Sequence, residues 1–243
     1  MKRILYSLVL GLCMVNLQAQ QTKNIVVDAN AEVRTVSGFS AIEVSGAIDL
    51  YISQGSEEAV AISATTEEVR QRIRTEVKGN TLQIYFDSKG INWKSWGNHK
   101  MKAYVTFKNL SRIEASGACN VKATESIKQP ELKIELSGAS DFTGNLIVDK
   151  LRVDASGASN AKLSGTATEA DIIASGACSL KAYDLVTTMC KTDATGASNI
   201  RITVDKELNA QASGGSTVYF KGNGLIRDIS ASGGASVKRR SED

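Results

Sequence analysis

Basic side chains recur at one position of a repeated sequence phrase, six residues after its Ser or Thr. Five of the seven side chains at this position are basic. Cations spaced by one strand separation, about 4.8 Å, match an extended polyanion such as an acidic polysaccharide. The alternative is a solvated face that opposes aggregation. The seven residues are Lys122, Thr143, Lys162, Lys181, Arg201, Tyr219 and Lys238.

The two strand faces of the repeat differ in charge. Before the Ser or Thr, a cation stands two residues from a carboxylate in four rungs, which indicates a solvated scaffold. These cations are Arg112, Lys133, Arg152 and Lys191. Beside the basic position, the residues four after the Ser or Thr are mostly Asn, Ser and Thr. Most cations at the basic position therefore have no acidic column next to them. We therefore predict a ligand-binding face built from Lys122, Asn160, Lys162, Lys181, Asn199 and Arg201.

An aromatic segment at residues 87–100 does not fit the repeat. It contains both tryptophans, Trp93 and Trp96, and the single histidine, His99. Tryptophan faces stack on sugar rings, so this loop is a second candidate site for a glycan or a partner protein. The alternative is a lid that covers apolar surface where the two parts of the chain join.

Signatures of catalysis and of metal binding are missing from the sequence. One histidine does not supply most metal sites, and neither a Cys-x-x-Cys pair nor a motif-placed Ser and His pair is present. The Gly-Gly pairs at 214–215 and 233–234 lack the Asp of calcium-binding repeats. We expect a non-enzyme without a cofactor or metal, and a carbohydrate-active enzyme is the minor alternative.

The repeat predicts the fold that positions these residues. From Ser116 to Ser232, successive Ser or Thr residues lie 21, 19, 19, 20, 18 and 19 residues apart. Alternating apolar residues flank a corner of small residues, which describes two strands with one buried face. A near-constant period of this size predicts an all-β fold, a β-solenoid (right-handed β-helix) with rungs of about 19 residues.

The cysteines fit the same arrangement. Cys119 and Cys178 share one corner position but sit three rungs apart, about 14 Å, which is too far for a disulfide. Cys190 lies on a successive strand and would reach Cys178 only across the core. We predict buried free thiols that fill space.

The sequence outside the repeat predicts the cellular location of the protein. Lys2, Arg3 and the apolar residues 4–15 predict a signal peptide over 1–20, and hence a periplasmic, outer-membrane surface or secreted protein without a transmembrane segment when mature. An N-terminal β part over 21–110, regular repeats over 111–237 and a charged tail over 238–243 follow. Removing Lys2 and Arg3 lowers the formal charge from +3 to +1, so no global field favours nucleic acid.

Three phrases in order resemble a known bacterial family. They are residues 42–55, which include Val-Ser-Gly-Ala, residues 79–84, which read Gly-Asn-Thr-Leu-Gln-Ile, and the Ala-Ser-Gly-Ala-Ser repeats. Over about residues 37–235 the chain resembles the family called "Putative auto-transporter adhesin, head GIN domain". The resemblance implies an exported β-helical protein with an adhesive role, and it transfers no catalytic or binding residues.

The predicted function is therefore an adhesion or glycan-interaction module at the cell envelope, with acidic polysaccharide as its partner. The alternative is a periplasmic structural or assembly protein. Such a protein would bind an envelope protein through the 87–100 loop or an open end of the helix. The sequence leaves the oligomeric state open.

Overall fold

A computed structural model describes residues 28–91 and 99–240, and most of them lie in β-strands. The predicted signal peptide, residues 92–98 of the predicted loop and the last three residues of the predicted tail lie outside these ranges. One helix, α1 (Glu67–Arg72), occurs within them. The strands are β1 (Glu32–Arg34), β2 (Ala41–Ser45), β3 (Asp49–Gln54), β4 (Ala59–Ala64), β5 (Ile73–Lys78), β6 (Thr81–Phe86), β7 (Met101–Phe107), β8 (Arg112–Ser116), β9 (Asn120–Ala123), β10 (Ile127–Leu136), β11 (Asp141–Ala155), β12 (Asn160–Ala174), β13 (Ser179–Ala194), β14 (Asn199–Ala212), β15 (Thr217–Lys221), β16 (Leu225–Ala231) and β17 (Ser236–Arg239).

From β8 onward, successive rungs stack in parallel and in register. In the pairing of β11 with β12, Asp141 lies opposite Asn160 and Ala155 opposite Ala174, so equivalent residues are 19 apart. The same parallel pairing joins β8 to β10, β10 to β11, β12 to β13 and β13 to β14. The predicted β-solenoid is therefore confirmed.

The Ser-Gly-Ala phrase forms a tight corner in each rung. Its glycine adopts a positive φ, 73° at Gly138 and 74° at Gly157. The amide of Ala158 donates to the carbonyl oxygen of Gly138 at 2.7 Å, which joins one corner to the next. A Cβ on Gly157 would lie 2.5 Å from that same oxygen. Glycine is needed here both for its backbone angle and for the close approach of the two corners.

The inward side chains form one continuous core. Val121, Phe142 and Ala161 lie in register on consecutive rungs, and none is more than 2% exposed. The ring of Phe142 lies against Gly144. A Cβ at that position would be only 3.0 Å from the ring, so glycine leaves the ring its space. In this column the largest side chain, Phe142, thus lies between two smaller ones.

The N-terminal rungs do not follow chain order. β2 pairs in parallel with both β6 and β8, and β3 pairs in parallel with both β7 and β9. The rung formed by β2 and β3 therefore lies between the rung of β6 and β7 and the rung of β8 and β9. After β3 the chain forms β4, α1 and β5 and then the outer rung of β6 and β7. It then returns to the inner side of β2 and β3, where β8 and β9 pair with them.

Antiparallel strands close this end of the solenoid. β5 pairs with the outer edge of β6, β4 with the outer edge of β7, and β1 with β4. Helix α1 begins after Thr66, whose side chain accepts a hydrogen bond from the amide of Val69, and Val69 is buried. This capped end thus leaves neither the edge of β6 nor that of β7 open.

The opposite end has no such cover among residues 28–91 and 99–240. β16 pairs with β14 on one side only, and all seven of its residues are exposed. Leu225, Ile226 and Ile229 have 71%, 46% and 40% of their surface exposed. This open end therefore presents both apolar side chains and an unpaired strand edge.

The three thiols of the described chain are free and buried, as predicted. Burial raises the pKa of Cys190 to about 12. Because the thiolate is the reactive form, we expect a chromogenic thiol reagent at mildly alkaline pH to modify none of Cys119, Cys178 and Cys190 in the folded chain. All three should react after addition of denaturant. Modification of the folded chain at the rate of free cysteine would contradict this burial.

Candidate binding face

The predicted cations lie in one straight row across the solenoid, the cation column. Lys122 pairs with Thr143, Thr143 with Lys162, Lys162 with Lys181, and Lys181 with Arg201. Neighbouring side chains of the row are therefore separated by about one strand spacing, 4.8 Å. The three lysines are exposed and Arg201 is half-buried.

The four cations of this row lack acidic partners within the part of the chain that the structure describes. None of them lies within ion-pair distance of a carboxylate. Arg201 instead donates from Nε to Oδ1 of Asn199 at 3.1 Å, a neutral acceptor. Their positive charge is therefore available to a ligand.

Most cations of the preceding strand face are paired: Arg112, Lys133 and Arg152 form ion pairs, whereas Lys191 forms none in the described chain. Lys133 Nζ lies 2.7 Å from Glu135 of its own rung and 3.5 Å from Asp154 of the next. Arg152 likewise contacts Asp154 at 3.0 Å. A concavity of about 690 Å³ crosses this face, but equal numbers of acidic and basic side chains line its walls. We therefore place the candidate site on the cation column, although its own recess is smaller.

Two tyrosines extend the cation column toward the capped end. Lys122 pairs with Tyr51, and Tyr51 pairs with Tyr104. The two half-buried rings stack, with centroids 5.3 Å apart and planes 19° from parallel. Burial, together with donation to Asp28 at 2.9 Å, raises the pKa of the Tyr104 hydroxyl, so the phenol stays neutral. The repeat could have identified Tyr51, because it stands six residues after Ser45.

A recess opens where the column has its smallest side chain, Thr143. Its volume is about 430 Å³. In the adjacent row, the amides of Asn120 and Asn160 each donate at 2.8 Å to a carboxylate, which fixes the orientation of that carboxylate. The recess thus combines an aromatic ring, a cation and oriented hydrogen-bond acceptors. It is lined by Asp49, Tyr51, Asn120, Val121, Lys122, Asp141 and Thr143.

The other predicted site residues divide into two groups. Asn160 and Asn199 lie in the row beside the cation column, with Ser179 between them. His99 is half-buried and lies two residues before β7 at the capped end, outside both rows. Trp93 and Trp96 lie outside the described residues, so their role as a sugar-stacking loop stays a prediction.

The candidate face offers cations, amides, carboxylates and tyrosines. Across residues 28–91 and 99–240, no group of three His, Cys, Asp or Glu side chains is placed to hold a metal ion. In the same ranges no helix has the length and apolar character that crossing a membrane requires.

Solved structures share this fold. A "putative adhesin" from Bacteroides fragilis gives a TM-score of 0.79 at 23% identity, over 86% of this chain and 96% of its own. A "putative adhesin" from Parabacteroides merdae gives 0.61 at 21% identity, over 87% and 95%. A "Putative lipid binding protein" from Parabacteroides distasonis gives 0.65 at 19% identity, over 88% and 98%. At these identities the likeness concerns the fold, not the ligand.

A family model matches most of the chain, although no curated protein matches it significantly. The model is described as "Putative auto-transporter adhesin, head GIN domain" and covers residues 38–224. This range contains the stacked corners, the recess and the cation column from Lys122 to Arg201. The resemblance inferred from the three sequence phrases is thereby confirmed, and the chain belongs to the auto-transporter adhesin, head GIN domain family.

Proposed function

We propose that this chain is a non-enzymatic adhesive module that binds an acidic polysaccharide along the cation column. The single observation that carries the proposal is a row of four cations without an ion-pair partner in the described chain, whereas Arg112, Lys133 and Arg152 of the preceding strand face are paired. The row consists of Lys122, Lys162, Lys181 and Arg201. The family description supports the adhesive role. Export, and a place at the cell envelope or outside the cell, belong to the same proposal.

A rigid row of cations suits an extended ligand. The backbone pairing of the rungs sets the spacing of the side chains, so less freedom is lost on binding than in a flexible loop. Each exposed cation contributes little alone, about 0.2 to 1 kcal/mol. Four cations that act together contribute roughly 1 to 4 kcal/mol, which corresponds to roughly a 5- to 1,000-fold change in affinity.

The recess offers hydrogen-bond acceptors and an aromatic ring that suit a sugar unit of the ligand. Asp49 and Asp141 place carboxylate oxygens beside Lys122, where sugar hydroxyl groups would donate to them. The same oxygens would repel any anionic group at this point, so a neutral part of the ligand fits the recess. The ring of Tyr51 offers a face for the apolar side of a sugar ring.

Replacing Lys122, Lys162, Lys181 and Arg201 together by Gln tests the proposal. We expect the wild-type chain to be retained on an immobilised polyuronate and to elute with salt, because salt screens exposed charges. The quadruple variant should elute without retention and keep its melting temperature. A neutral glucan column gives the baseline.

The matched control removes four cations from the paired face, by Arg112→Gln, Lys133→Gln, Lys150→Gln and Arg152→Gln. This variant loses the same formal charge, so its retention on the polyuronate should stay close to wild type. Equal loss of retention in both variants would mean that net charge alone is responsible. That result, or unchanged retention of the first variant, would exclude the cation column as the binding face.

A further inference from the structure

The open end of the solenoid carries an unfinished layer of the core. Ile226 and Ile229 stand directly over Leu208 and Ala210, which are 0% and 1% exposed. They therefore face inward like core residues, yet 46% and 40% of their surface is exposed. Contiguous apolar side chains beside an unpaired strand edge mark an interaction surface.

A β-bulge changes the direction of the side chains in the middle of β16. The register between β14 and β16 shifts after Leu208, so Arg227 is an extra residue without a partner in β14. Arg227 faces outward, because its Nε lies 3.1 Å from Oε2 of the outward-facing Glu207. Asp228 also faces outward, since it pairs with Asn209 of the outer surface. Two consecutive side chains therefore lie on the same face.

The bulge makes β16 symmetric about its centre. From Ile226 to Ile229 the side chains point inward, outward, outward and inward. Opposed residues of antiparallel strands must point to the same face. In a regular strand, consecutive side chains alternate between the two faces of the sheet. A two-fold axis between two consecutive residues would then place an inward-facing side chain of one copy opposite an outward-facing side chain of the other. The bulge removes this conflict, and β16 fits a second copy of itself with Arg227 opposite Asp228 and Ile226 opposite Ile229.

The charges of this pairing are complementary. In the part of the chain that the structure describes, Asp228 takes part in no ion pair, whereas Arg227 uses one nitrogen for Glu207. An arginine has five N–H donors, so it can serve a second carboxylate. In the symmetric pair, each Asp228 meets the Arg227 of the other copy, and the contact occurs twice.

We propose that the chain forms a two-fold dimer through the β16 edges of its open ends. The axis passes between residues 227 and 228, and the isoleucines of the two copies cover each other, so that the two cores become continuous. Stacking of the open end on the capped end of another copy is disfavoured. The capped end presents antiparallel strands and the charged helix residues Glu67, Glu68 and Arg72 instead of an apolar layer.

Solution mass and a charge exchange test this dimer. Light scattering or sedimentation of the mature chain should give twice the protomer mass. Asp228→Arg sets arginine against arginine twice, and Arg227→Asp sets aspartate against aspartate twice. Each single variant should raise the dimer dissociation constant at least about tenfold. The double variant Arg227→Asp with Asp228→Arg should restore the dimer, because each opposed pair is again of opposite sign.

Asp149→Arg is the matched control, because it makes the same charge change at an exposed position of β11, a strand that does not pair with β16. It should leave the dissociation constant unchanged. A protomer mass for the wild type at all concentrations would overturn the proposal, and so would an unchanged constant in Asp228→Arg or failure of the double variant to restore it. Melting temperatures separate misfolding from loss of contact. Loss of the dimer leaves the cation column intact, so a monomeric variant should still be retained on the polyuronate, which separates this outcome from failure of the proposed function.

Discussion

Gly157→Ala is expected to lower the free energy of unfolding by about 3 to 5 kcal/mol. The new Cβ would lie 2.5 Å from the carbonyl oxygen of Gly138, and the residue would have to keep a φ of 74°. The strain comes from the backbone angle of the residue itself and the overlap from a backbone atom of the neighbouring corner, so side-chain rotation relieves neither. Urea denaturation followed by circular dichroism measures the change.

Gly79→Ala separates these two causes. Gly79 also has a positive φ, 62°, but a Cβ there would meet nothing within 4 Å. We therefore expect a loss of only about 1 to 2 kcal/mol, from the backbone alone. The difference between the two variants measures the cost of separating two stacked corners. Equal losses would show that the corners do not stack as closely as described.

Phe142→Ala is expected to destabilise the chain by about 3 to 5 kcal/mol, because it empties a fully buried site in the middle of the stack. The neighbouring rungs place Val121 and Ala161 in register with it, and both are held by their own ladders, so the cavity cannot collapse. Thr143→Ala is the control, since its side chain is exposed on the same strand and should change stability by about 0.5 kcal/mol or less.

A double-mutant cycle with Gly144 sharpens this test. Gly144→Ala alone should be destabilising, because the new Cβ would lie 3.0 Å from the ring of Phe142. In the Phe142→Ala background the same change should cost less, since the ring is gone. Strict additivity of the two substitutions would mean that the two positions do not share packing space.

The period of the Ser-Gly-Ala phrase was sufficient to predict the fold from sequence. Equivalent residues of stacked rungs are hydrogen-bonded neighbours, so a constant spacing from Ser116 to Ser232 converts directly into register. The phrase at Ser45 correctly indicates a rung but does not say which rungs lie beside it. That order also involves the antiparallel pairing of β4 with β7, a contact between segments distant in sequence that leaves no periodic signal.

The candidate face could be predicted only in part. Counting six residues from each Ser or Thr gives the cation column, and the same count from Ser45 gives Tyr51. Tyr104 is not accessible to this count because its rung lacks the phrase. The contrast between paired and unpaired cations also required distances, since Lys133 and Lys162 have the same charge in sequence and differ only in their surroundings.

The position of β2 and β3 between two later segments has a consequence for how folding starts. Ile42 pairs with Leu82 and Ile113, whereas in the regular rungs partners such as Asp141 and Asn160 are only 19 residues apart. Closing the longer loop costs about 1 kcal/mol more in chain entropy than closing a regular rung. Because the regular rungs close at lower cost, we expect folding to begin among them and the first three rungs to form more slowly.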